Sequence, residues 1–163
     1  MKTLKDVFIN SIKDIYYAET ILTKELKILT HIAQHPDLRE SIMQHHHETL
    51  THISRLEQIF EVSWEPIKAK KCLAIDGILA EWKEMLEQAD FDVKDIVIVL
   101  VSSKIQHYQI SAYVWLVTFA DHLWYEEVYD VLQENLEEEE SALGTLDTLL
   151  QVLSGNDDEE LLI

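Results

Sequence analysis

Residues 4–29 read LKDVFINSIKDIYYAETILTKELKIL, and the spacing of their apolar side chains decides the fold. Leu4, Phe8, Ile12, Ile15, Glu19, Leu22, Leu26 and Leu29 recur at steps of three and four. That is one face of an α-helix. Glu19 lies on the midline of this face, where Leu or Ile is expected. A carboxylate is rarely buried unless it is paired, hydrogen-bonded or bound to a metal. The segment therefore predicts a long amphipathic helix and raises the question of what Glu19 meets inside.

The rest of the 163-residue chain extends the helical pattern, with only 3 Gly and 2 Pro. That is too few for a turn-rich β-protein. The length suits one domain with a real core. The periodicity predicts helices over residues 3–31, 36–62, 73–88, 93–122 and 125–153. Pro36 stands at an early helical position with Asp37 as a candidate cap, and Asp90-Phe91-Asp92 reads as a capping turn. Short connections join the first pair and the last pair. A long connection carrying the short third helix joins helix two to helix four. This predicts an all-α four-helix bundle with one long crossover, over residues 1–153. The acidic tail, residues 154–163 (SGNDDEELLI), is expected to be disordered.

Composition narrows the function classes. The net charge of −18 repels nucleic acid and anionic membrane surfaces, and favours cations. The plain alternative is that the acidity serves solubility. The longest apolar run, Ile96 to Val101, is far short of a membrane span. The N-terminus reads as a helix start rather than a signal peptide, so a cytoplasmic protein is expected. Cys72 is the single cysteine, which excludes a disulfide within the chain. No Ser/His/Asp arrangement or Gly-rich phosphate loop competes for an active site.

The same arithmetic, about 100° per residue, finds polar side chains on the other buried faces. On helix two, Leu38, Ile42, Thr49, Ile53, Leu56 and Phe60 set the face; His45 and His52 share it, and Glu48 lies at its edge. On helix five, Val128, Leu132, Leu136, Leu143, Leu146 and Leu150 set the face. Within Glu137–Glu140 only Glu139 falls on its midline, with Glu138 at the edge. On helix four, Gln106, Gln109 and Tyr113 share one side. Carboxylates and imidazoles converging from facing helices are the construction of carboxylate metal sites in bundles, and they suit iron, manganese or zinc. Each residue also has a plainer reading. Glu19 pairs with a buried cation, the two histidines are hydrogen-bonded core residues, and Glu138 and Glu139 belong to a solvated charge run.

Several blocks in order carry a resemblance. They are DVFINSIKDIYYAE at residues 6–19, His45-x-x-Glu48-Thr49 followed by RLEQIFE at 55–61, KCLAIDGILAE at 71–81, HY-x-I-x-x-Y at 107–113, and LQENLEEE at 132–139. Over nearly its whole length the chain resembles the YciE/YciF family of ferritin-like bacterial proteins. The resemblance implies a ferritin-like bundle, a homodimer and a link to stress response. It implies metal ligands at Glu19, His45, Glu48, His52, Glu138 and Glu139. The family typically carries Glu-His-Tyr-Glu on the fourth helix, where this chain has Gln106-His107-Tyr108-Gln109. Two carboxylates have become neutral amides, which are weaker ligands and cannot bridge two cations.

Two functions follow. The first is a non-catalytic, stress-associated protein with a degenerate di-metal site and no cofactor, its glutamines donating hydrogen bonds to Glu19 and Glu139. The second is a metal-binding oxidase or iron-handling protein that holds iron or manganese with a reduced ligand set. Helix four, apolar all round from Ile96 to Val101 and with further apolar residues at Val114, Trp115 and Phe119, is expected either at a dimer contact or under the third helix.

Overall fold

The computed structural model describes residues 1–155 and places five α-helices in them: α1 (Leu4–Ile32), α2 (Pro36–Val62), α3 (Leu73–Gln88), α4 (Lys94–His122) and α5 (Glu126–Gly155). Of the acidic tail expected to be disordered, Ser154 and Gly155 are the last residues of α5, and residues 156–163 lie outside the described part. A capping box starts α1: the Thr3 hydroxyl accepts from the Asp6 amide, and the Asp6 carboxylate accepts from the Thr3 amide. From Phe8 to Leu29 the expected stripe is buried, Glu19 included; Leu4, the first residue of the helix, stays exposed.

α1 and α2 form one antiparallel hairpin, α4 and α5 the other. Helix α1 packs on α4, and α2 on α5. The crossover returns along the outside of the bundle, so α4 starts beside the α1–α2 turn. Asp95 fixes that junction by accepting from the Gln34 and His35 amides at 2.9 and 2.7 Å. This is an all-α, ferritin-like bundle with one long crossover. None of the described helices is long and apolar enough to cross a membrane.

Helix α3 lays Ile75, Leu79 and Trp82 inward and packs on α4. Tyr17 donates to Asp76 and Lys83 to Glu25, each at 2.9 Å, which ties α3 to α1 as well. Most of the apolar character of the first half of α4 follows, because one side faces the bundle and the other packs on α3, although Leu100 stays exposed. Val114 and Trp115, further along, remain exposed.

Three local readings are corrected. Asp37 does not cap α2: the cap position is His35, without a side-chain bond, and Asp95 from the other hairpin supplies the carboxylate. Asp90 caps nothing with its side chain; residues 91–93 form a single 3-10 turn. At the end of α5, Leu149 rather than Leu150 is buried, since three residues after Leu146 is the inward position.

Both α2 and α4 end at the same pole of the bundle in the same way. The Glu65 amide donates to Phe60 O and the Trp64 amide to Glu61 O; Tyr125 donates to Ala120 O and Trp124 to Asp121 O. Trp64 (φ 56°) and Trp124 (φ 59°) are both left-handed. Each is a Schellman turn with tryptophan in the position usually held by glycine.

Candidate metal centre

Midway along the bundle the four long helices turn polar residues inward: Glu19 from α1, His45, Thr49 and His52 from α2, Gln106, Gln109 and Tyr113 from α4, and Asn135 and Glu139 from α5. All are buried. Each arrives by helical period alone, on a stripe otherwise filled by Leu and Ile.

Gln109 sits between the two buried carboxylates. Its Nε2 donates to Glu19 Oε2 at 2.9 Å and to Glu139 Oε1 at 2.7 Å. The Tyr113 hydroxyl donates to Glu19 Oε1 at 2.6 Å. His52 Nδ1 lies 3.4 Å from Glu19 Oε1 and 3.3 Å from Glu139 Oε1, at ion-pair range but without hydrogen-bond alignment. His45 Nε2 stands 3.3 Å from Glu139 Oε2 in the same unaligned manner. On its far side, His52 Nε2 meets Glu138 Oε2 at 2.8 Å, and Arg55 holds that carboxylate through Nη1 at 2.8 Å and Nη2 at 3.1 Å. Arg55 also donates to Asn135 Oδ1 at 2.9 Å.

The electrostatics follow from this packing. Burial alone would lower His52, but Glu139 and Glu19 outweigh it and push it up to about 10, so the ring is an imidazolium at neutral pH. His45 is likewise raised, its burial overcome by Glu139. Burial opposes ionisation of Glu139, yet the two histidines hold it well below the usual carboxylate range. Glu138 is lowered too, with Arg55 the larger influence against its partial burial. Burial and the Glu19 carboxylate push the Tyr113 phenol well up, so it stays a donor.

The structure brings Glu19, His45, His52, Gln109 and Glu139 together, and buries Gln106 three residues before Gln109 with its Oε1 unpartnered. It does not bring Glu48 in. The inward direction one turn beyond His45 falls to Thr49, and Glu48 is half-buried at the rim, accepting from Gln44 at 2.7 Å. Glu138 reaches the centre only through His52. Arg55 and Asn135 are the members that the sequence reading missed. Their signal was spacing, since Arg55 lies three residues after His52 and Asn135 four before Glu139.

One atom each from Glu19, His52 and Glu139 lies within 4.8 Å of the others, a group able to hold a single ion. His45 Nε2, Gln106 Oε1, Gln109 Oε1 and Glu139 Oε2 are buried without an aligned hydrogen bond.

Comparison with known proteins places this architecture. Residues 3–157 match a domain of unknown function, DUF892. The chain belongs to the DUF892 family. Protein YciF of Escherichia coli K12 is 35% identical over 143 residues, 86% of each chain. The crystal structure of this E. coli stress protein superposes with a TM-score of 0.89 at 33% identity, covering 95% of this chain and 99% of that one. YcfI of Rhodopseudomonas palustris gives 0.88 at 34% identity, over 90% and 94% of the two chains. A Xanthomonas campestris protein, 17% identical, shares the fold with a TM-score of 0.77 over 99% and 100%. Within DUF892, this chain is of the YciF type.

Proposed function

We propose that this protein is a non-catalytic, stress-associated helical protein of the YciF type, and that its mid-bundle centre is a degenerate di-metal site closed by hydrogen bonds. The observation that carries this reading is Gln109, whose amide donates to Glu19 and Glu139 at once. A carboxylate in that place would bridge two cations; an amide supplies no charge and spends its N–H groups on the oxygens an ion would need. Two dications do not fit this donor set. Glu19 and Glu139 are the two central carboxylates, and Glu138 is already matched by Arg55. While His52 is an imidazolium it offers no lone pair. The relatives support such a role: E. coli YciF is a stress protein, and the R. palustris chain is a proposed structural protein.

Elemental analysis of the purified protein tests this. The reading expects well under one equivalent of iron, manganese or zinc. Roughly two tightly held equivalents, the content of a two-ion centre, would sink it.

A second reading has its own observation. Glu19, His52 and Glu139 converge closely enough for one ion, and unsatisfied oxygen and nitrogen atoms surround them. Carboxylate plus imidazole suits iron, manganese or zinc. Loading requires Gln109 to release both carboxylates and His52 to lose a proton. One equivalent bound with proton release, abolished in Glu19→Gln, supports it; binding that survives Glu19→Gln does not.

The proposal includes a homodimer joined across the later half of α4, where Val114 and Trp115 are exposed and Trp115 stacks on Phe119 at 6.0 Å between centroids. Light scattering of wild type against Trp115→Glu tests it: a dimer that becomes a monomer is expected, and a monomeric wild type rejects it.

A further inference from the structure

The pole of the bundle where α2 and α4 end breaks two rules twice. Trp64 and Trp124 are 95% and 85% exposed, which is unusual for the largest apolar side chain. Both also occupy the left-handed backbone region, which glycine enters freely and a side chain enters at a cost. Among the described residues neither indole makes a side-chain hydrogen bond or a ring contact. The Schellman hydrogen bonds account for the left-handed backbone, but nothing in the fold accounts for an exposed indole at two places that glycine would fill without strain, and such residues collect at binding sites.

The two indoles line one hollow of about 450 Å³, with Glu126, Glu127 and a single cation, Lys5. Trp124 and Glu126 also line an adjoining hollow of about 360 Å³, whose charged members are Asp121, Glu126 and Asp130. The surface is thus aromatic and acidic. The negative potential over indole faces and the carboxylates act on a cation in the same sense. These carboxylates would face their own like charges in a second copy docked at this pole, and with the net charge of −18 they disfavour nucleic acid or an anionic membrane and attract a basic partner.

We propose that this pole is a docking site for a basic peptide segment of another protein, with arginine or lysine side chains received between Trp64 and Trp124 and held by Glu126, Glu127, Asp121 and Asp130. The site is independent of the buried centre, and its failure leaves the reading of that centre untouched.

Calorimetry on the full chain tests it, with acetyl-triarginine amide as probe and acetyl-triglutamate amide as control, at about 0.15 M salt to screen diffuse attraction. Saturable binding of the arginine peptide alone is expected. Trp64→Ala and Trp124→Ala should each weaken it by roughly tenfold, in line with a desolvated cation–π contact. Glu126→Gln with Glu127→Gln should weaken it too, and Lys5→Gln should tighten it. Binding undiminished in the double tryptophan variant would reveal diffuse attraction to the acidic surface and overturn the proposal. So would preference for the glutamate peptide, or no saturation. A second measurement separates binding from structure: Trp64→Gly should unfold at a higher temperature while binding the peptide roughly tenfold more weakly, as Trp64→Ala does. A lower unfolding temperature would make the indole structural and contradict the proposal.

Discussion

The middle of the bundle and its tryptophan pole depart from the ordinary pattern in opposite directions. In the middle, charged and polar groups are buried; at the pole, large apolar groups are exposed. The middle resolves its departure within the chain. Glu19 and Glu139 are matched by Gln109, Tyr113 and His52, and Glu138 by Arg55. The pole has no such internal partners, since Trp64 and Trp124 point outward from strained turns. An inward exception that is satisfied at home reads as architecture. An outward one left open reads as a contact waiting for a partner.

The largest effect should come from breaking the inner balance. His52→Leu removes the cation between Glu19 and Glu139 and leaves buried charge uncompensated, a cost of about 3–5 kcal/mol by urea unfolding. A loss below about 1 kcal/mol, the range of surface pairs, would mean that the ring is not part of the network.

The pH dependence is next. His52 is raised from 6.5 to about 10, so its contribution is complete below pH 6.5 and is lost as pH rises through about 10. Glu139 is lowered from 4.5, so its contribution is present above that pH and lost as acid protonates it at its depressed value. Stability should plateau between pH 4.5 and 6.5. Above that it should fall by up to about 1.4 kcal/mol per pH unit, the slope for one proton. The alkaline limb should flatten in His52→Leu. An unchanged limb would assign it to other groups.

Gln109→Leu should cost about 1–3 kcal/mol, because two buried carboxylates lose a donor. A neutral result would mean that they find other donors. The smallest effect belongs to the pole. Trp64→Gly should raise stability, by no more than about 1–2 kcal/mol, through relief of the left-handed backbone. A loss there would erase the contrast between the two regions.

Much of this contrast was legible in the chain. Helical period alone put Glu19, His45, His52, Gln109 and Glu139 inside, and α3 runs over Leu73–Gln88 as its periodicity predicts, despite Gly77. What escaped were features set by neighbouring helices. The carboxylate at the start of α2 comes from Asp95, 60 residues from His35 in sequence. Glu138 is turned by Arg55, 83 residues away, and no pattern within one helix carries that pairing. Glu48 stays at the rim, as its edge position on the helix implies, because Thr49 holds the inward place beside it. The Schellman turns were hidden because their usual marker, glycine, is replaced by tryptophan.

The most direct test of the inner account is a paired manganese titration of wild type and a variant carrying Gln106→Glu with Gln109→Glu, both checked for an unchanged helical spectrum. The account predicts weak or absent binding by the wild type and a clear gain of tight binding in the variant, where α4 adds two carboxylates to Glu19 and Glu139. Tight uptake of roughly two ions by the wild type, as in a two-ion centre, or equal affinity in both proteins, would contradict it.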